Sequence, residues 1–131
     1  MLTPKDYYQE KNEPIMQDDV LFNLDYLHVL TENDERFIKE LLGVFVTTVP
    51  KMTEEMNIAC NSKDWEEVKA IAHKLKPIAE TLRIESILED IKFVENTIKE
   101  KGNLKEIPNL ISKIDGVLKQ VTGQLKEIVH I

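Results

Sequence analysis

The sequence predicts an all-α fold, an antiparallel four-helix bundle with a short N-terminal lid helix. Three observations carry this: apolar residues recur at a spacing near 3.6 over long segments, period-two alternation is never sustained, and only four glycines and five prolines interrupt 131 residues. Residues 1–20 stand apart as an extended or mobile arm, because they contain Pro4 and Pro14, carry five acids against two lysines and show no periodicity. The bundle domain is expected over residues 21–131.

A short helix is expected from Leu24 to Leu30, followed by a turn in which Asn33 and Asp34 suit the start of the next helix. That second helix is long. Its apolar face is read as Phe37, Ile38, Leu41, Leu42, Phe45, Val49, Met52, Met56 and Ala59, a stripe that continues past Pro50 and so implies a kink there and not a break. Cys60 at its end reads as a small buried hydrophobe. Asp64 and Glu67 have the spacing of a capping box, which starts a third helix at Trp65 with Val68, Ile71, Ala72, Leu75, Ala79 and Leu82 facing the core. A fourth helix, Glu85 to Lys101, offers Ile87, Leu88, Ile91, Val94 and Ile98, and Gly102 is expected to take the left-handed position that ends it. Pro108 sits near the start of a fifth, which carries Leu110, Ile111, Ile114, Val117, Leu118, Val121, Leu125 and Ile128. Four such amphipathic helices with short connections bury their stripes most simply as a bundle.

Charge and composition remove several classes of function. With 24 acidic and 17 basic residues the net charge is −7, a field that repels nucleic-acid backbones and anionic membranes. The lone cysteine precludes an internal disulfide, and neither a membrane-length apolar run nor a secretory signal is present, so a cytoplasmic, monomeric protein is the expectation. No phosphate-binding glycine loop, paired cysteines, HExxH or Glu-x-x-His pair occurs, and no metal or cofactor is expected on the chain. His28 and His130 read as a lid-helix residue and a terminal one.

His73 is different. At about 100° per residue it points roughly 140° away from the core direction of its helix, and hence to solvent. Lys69 and Lys76 lie at i−4 and i+3 on the same side, with Lys74 adjacent. From Lys69 to Arg83 the chain has four basic residues and one acid, a local charge of +3 within a chain of −7. Ammonium groups beside an imidazole favour its neutral, nucleophilic form and would stabilise a phosphoryl group attached to it. Pro77, four residues on, removes the N–H that would bond the His73 carbonyl and presents a low, rigid profile to an approaching partner.

Over roughly residues 20–128 the pattern resembles the histidine-containing phosphotransfer domain of phosphorelays. The resemblance rests on Asp25-Tyr26-Leu27, on Asn33 to Phe37 before Leu41 to Phe45, on Asp64-Trp65, and above all on Ala72-His73-Lys74-Leu75-Lys76 in the second bundle helix. It implies an α-helical bundle in which His73 carries phosphate on Nε2, Lys76 lies beside the phosphoryl group, and a polar side chain from the following helix, Glu95 by position, hydrogen-bonds the histidine. It also implies a relay intermediate that accepts the phosphoryl group from a receiver aspartate and passes it to another receiver. The expected partners are the receiver domains of response regulators and hybrid histidine kinases, with Mg²⁺ on the receiver and no kinase or hydrolase activity on this chain. The alternative is a helical adaptor that binds receivers without accepting phosphate. The chain departs from the family pattern at Pro77, where glycine is usual, at Arg83, another common glycine position, and at Ile78 and Glu80, where small residues are found. Glu80 would weaken the positive field around His73.

Overall fold

The computed structural model describes residues 20–129. The expected arm, residues 1–20, therefore lies outside the described residues except for Val20, as does His130. Five helices follow in order: α1 (Asp25–Leu30), α2 (Glu35–Asn61), α3 (Trp65–Thr81), α4 (Glu85–Lys99) and α5 (Ile107–Val129). Packing runs in a ring, α2 on α3, α3 on α4, α4 on α5 and α5 back on α2. The connections 62–64 and 82–84 are three residues long, which makes each pair they join antiparallel neighbours.

Each helix starts and stops for identifiable reasons. Asp34 accepts a hydrogen bond from the Phe37 N–H at 3.1 Å, and Asp64 one from the Glu67 N–H at 3.2 Å, so each satisfies a donor that the first turn leaves free. Glu67 makes no return bond, so the capping box at Asp64 is half formed. The C-termini of α1 to α4 share one solution. After Thr31, Ser62, Leu82 and Glu100 the chain turns through a residue with positive φ: Glu32 (54°), Lys63 (57°), Arg83 (51°) and Lys101 (56°). The next N–H then bonds back to the helix, as from Asp64 to the Ala59 carbonyl (2.8 Å) and from Gly102 to that of Thr97 (2.8 Å). The left-handed position after α4 is thus held by Lys101 and not by Gly102, and α4 ends at Lys99, two residues earlier than expected.

The buried face of α2 also differs from the expected stripe. Phe37, in the first turn, remains 47% exposed, whereas Val46 and Thr53 are buried. Thr53 enters the core because its hydroxyl donates to the Pro50 carbonyl at 3.0 Å, an acceptor on its own helix that removes the cost of burying it. α2 continues as one helix through Pro50. In α3 the predicted core set holds at every position.

The segment ahead of α1 is tied across the end of the bundle. The Asn23 N–H bonds the Leu82 carbonyl at 2.8 Å, the Leu21 N–H bonds Gln124 Oε1 of α5 at 3.3 Å, and Arg83 lies 4.4 Å from the centroid of the Tyr26 ring. With Phe22, Leu24 and Leu27 buried, this segment and α1 close one end of the bundle as the expected lid. No described helix is long and apolar enough to cross a membrane.

Candidate functional site

The burial of Val68, Ile71, Ala72, Leu75 and Ala79 fixes the rotation of α3 and turns His73 outward. Its side chain is 67% exposed. On α4 the buried set Ile87, Ile91, Val94 and Ile98 places Glu95 at the edge of the seam with α3, where its side chain keeps 14% of its exposure. There the two helices meet through polar atoms. Glu95 Oε2 lies 2.6 Å from His73 Nδ1, and Lys76 Nζ donates to Glu95 Oε1 at 3.1 Å. One carboxylate therefore holds an imidazole and an ammonium group that sit one turn apart on the neighbouring helix.

This arrangement has a defined protonation. Burial pushes the Glu95 carboxyl up, but hydrogen bonds from His73 and Lys76, with the charges of those two groups, pull it down further and leave it below its ordinary value. An ionised carboxylate can only accept, so Nδ1 is the donor nitrogen, and in the neutral ring Nε2 then carries the lone pair. The exposed ring thus presents a nucleophilic nitrogen, while its other nitrogen is anchored to a partly buried acid. A Nζ–H₃⁺ group has three donors, and two on Lys76 remain for an anion bound near the ring.

The residues singled out from sequence separate into three sets. His73, Lys76 and Glu95 come together. Lys69 lies on the same side of α3, with its ammonium 2.8 Å from Glu66, and Pro77 is exposed within an unbroken helix. Lys74, beside His73 in sequence, and Glu80 are exposed, and neither side chain has a bonded partner among the described residues. The group touching His73 is the carboxylate of Glu95, the residue nominated by position on the following helix, and Lys76 reaches the site through that carboxylate. Sequence reasoning missed Lys92 and Lys99, three before and four after Glu95, a spacing that places both on the Glu95 side of α4.

Two surface concavities, one beside α1 and one between α2 and α5, lie elsewhere, and His73 lines neither. Among the described residues no three His, Cys, Asp or Glu side chains gather as a metal site. Cys60 is buried, which pushes its thiol up, and His28 Nδ1 lies 3.8 Å from Glu35.

The site is thus an exposed imidazole on one helix, anchored to a partly buried carboxylate of the next helix that also holds a lysine. In comparison with known families, the Hpt domain matches residues 40–130, which covers α3 to α5 and most of α2, and the chain belongs to this family. Searches of curated proteins and of solved structures return no match. Hpt domains are phosphocarriers of two-component signalling that interact with receiver domains, and family membership gives the chain that phosphotransfer role.

Proposed function

We propose that this chain is a phosphorelay intermediate with His73 as the phosphoryl acceptor. Nε2 attacks the phosphorus of an aspartyl phosphate on a receiver. The N–P bond forms as the bond from phosphorus to the aspartyl oxygen breaks, and the aspartate leaves as a carboxylate. The ring keeps its Nδ1 proton, so it gains positive charge as the phosphoryl group arrives, and the Glu95 carboxylate balances that charge. In the onward step an aspartate of a second receiver attacks phosphorus. The N–P electron pair returns to Nε2, and the leaving group is a neutral imidazole, which departs far more readily than an imidazolate. Neither step requires a proton from solvent.

The observation that carries this reading is the 2.6 Å contact between Nδ1 of an exposed ring and a partly buried carboxylate. Lys76 would hold a phosphoryl oxygen with the donors it does not spend on Glu95, and Lys69 would add to the field. Lys74 and Pro77 border the surface that the receiver approaches. Mg²⁺ belongs to the receiver, this chain needs no cofactor, and it performs no kinase or hydrolase chemistry of its own. We place it in the cytoplasm as a monomer. Leu30, Phe37 and Val44 leave exposed apolar area on α1 and the first half of α2 that suits protein docking.

The test is transfer from a radiolabelled phospho-receiver. Label should move to the wild type as an acid-labile, alkali-stable adduct and fail to move to His73→Gln. Equal labelling of the two would refute His73. Binding without labelling of either, across the cognate receivers, would leave an adaptor.

A further inference from the structure

We propose that the face around His73 is polarised in charge along the seam of α3 and α4, with Lys99 and Glu80 as its two free ends. This polarity selects the receiver domain that docks there and the direction in which it docks. The receiver as partner rests on the phosphotransfer reading; the polarity of the face does not.

The contact between His73 and Glu95 fixes which residues of the two antiparallel helices lie level with each other. Residues after Glu95 on α4 stand beside residues before His73 on α3. Lys99, four after Glu95, is therefore level with Lys69, four before His73, and Lys92 is level with Lys76 in the same way. Glu80, seven after His73 and so on the same side of α3, is level with Leu88, which packs against the core and brings no charge.

The middle of this face is neutralised. Lys69 is held by Glu66 at 2.8 Å, Lys76 by Glu95 at 3.1 Å and Lys92 by Glu89 at 3.6 Å. The two ends are not. Glu80 is exposed, and the cations nearest to it along the helix are engaged elsewhere: Lys76, four before, bonds Glu95, and Arg83, three after, lies over the Tyr26 ring. Lys99 is exposed too, and the carboxylate four before it is Glu95, already taken up by His73 and Lys76. Neither end has an ion-pair partner among the described residues. At about 1.5 Å of rise per residue, Lys99 lies about 6 Å to one side of the His73–Glu95 contact and Glu80 about 10 Å to the other.

A partner centred on Nε2 thus meets an ammonium group on one side and a carboxylate on the other. A receiver whose phosphorylated aspartate is flanked by an acid and a base in the matching order docks with both ends satisfied. Turned end for end, or with its flanking charges exchanged, it meets like charges at both ends. Two side chains that never touch the phosphoryl group therefore set how the aspartyl phosphate is turned toward the imidazole.

Glu80→Lys combined with Lys99→Glu tests this, because the exchange reverses the polarity and leaves the net charge at −7. Surface plasmon resonance of the full chain over an immobilised cognate receiver domain reads the Kd. Two attractions at the rim are lost and each is replaced by a repulsion of similar size, which should raise Kd at least about tenfold at low salt. The gap should close as salt rises from about 0.01 M to about 1 M and the screening length falls from about 30 Å to about 3 Å. Glu80→Gln and Lys99→Gln should each raise Kd about two- to fivefold. ¹⁵N shifts of the His73 ring in the exchanged protein should match those of the wild type. An exchanged protein that binds as tightly as the wild type at low salt would overturn the proposal, even where His73 accepts phosphate normally. So would a gap that persists at high salt, since packing and not charge would then be responsible. Binding that follows the expected pattern while no label reaches His73 would uphold the polarised surface and sink the phosphotransfer reading instead.

Discussion

Replacing Glu95 with glutamine changes one oxygen to nitrogen and tests most of the site chemistry. The carboxylate accepts from Nδ1 at 2.6 Å and from Lys76 at 3.1 Å, and the substitution removes the negative charge from both contacts. Hydrogen bonds to a charged group contribute about 1.5–3 kcal/mol and neutral ones about 0.5–1.5 kcal/mol, so the loss per contact is about 1 kcal/mol. The His73 ring is two-thirds exposed and its contact is screened, which favours the low end. A loss of about 1.4 kcal/mol in the transition state corresponds to a roughly tenfold slower transfer. The amide also has a donor, so it can hydrogen-bond either ring tautomer, and the Nδ1–H form is no longer enforced. Rapid-quench measurement of transfer from a phospho-receiver should therefore show the tenfold drop, and ¹⁵N shifts of the ring should move toward a mixture of tautomers. An E95Q protein that transfers at the wild-type rate with wild-type ring shifts would refute the role given to the carboxylate.

Four further outcomes follow from the same geometry. The Glu95 carboxyl is lowered in the folded state, so its contribution to stability is present above the unfolded glutamate range near pH 4.3 and is lost as pH falls through its lower folded value; the stability gap between wild type and E95Q should be full at neutral pH and close in acid, as followed by urea denaturation across pH. Lys76→Ala should slow transfer and cost only about 1 kcal/mol of stability, because the lysine bridges α3 to α4 at a partly exposed site; a loss above about 3 kcal/mol would mean that it is a packing residue. Leu75→Ala, at 1% exposure, should cost about 2–5 kcal/mol as a core truncation, and a loss below about 1 kcal/mol would contradict the rotation of α3. Lys63→Gly should raise stability by about 0.5–1 kcal/mol, since glycine takes the φ of 57° without steric penalty; an unchanged or lower denaturation midpoint would refute the strain argument.

Much of the fold is legible in the sequence because helices are specified locally. The 3.6 spacing places α3 and its buried set, and Asp34 and Asp64 announce two helix starts. The misreadings have local causes as well. Thr53 is buried against its type because its hydroxyl finds a carbonyl one turn back, which hydropathy does not encode. Lys101 and not Gly102 takes the left-handed position because the helix ends one residue before the glycine could serve. For the site, the outward direction of His73 follows from the core stripe of its own helix. The meeting of His73 with Glu95 depends on how α4 is set along and around α3, a tertiary quantity, and position within the fourth helix only nominated the residue. Lys92 and Lys99 could have been found from their spacing to Glu95 once that residue was nominated.

The three-residue connection between α3 and α4 makes the site a gauge of how these two helices are seated. A helical turn rises about 5.4 Å, so sliding α4 along α3 by one turn would stretch the 2.6 Å contact past hydrogen-bonding range. Ala72 and Ala79, buried on α3, set how closely the neighbouring helices approach. Enlarging either side chain would displace the helices and detach the imidazole from its carboxylate without altering any residue that the phosphoryl group touches. In this molecule the fine adjustment of a surface nucleophile is made from inside the core.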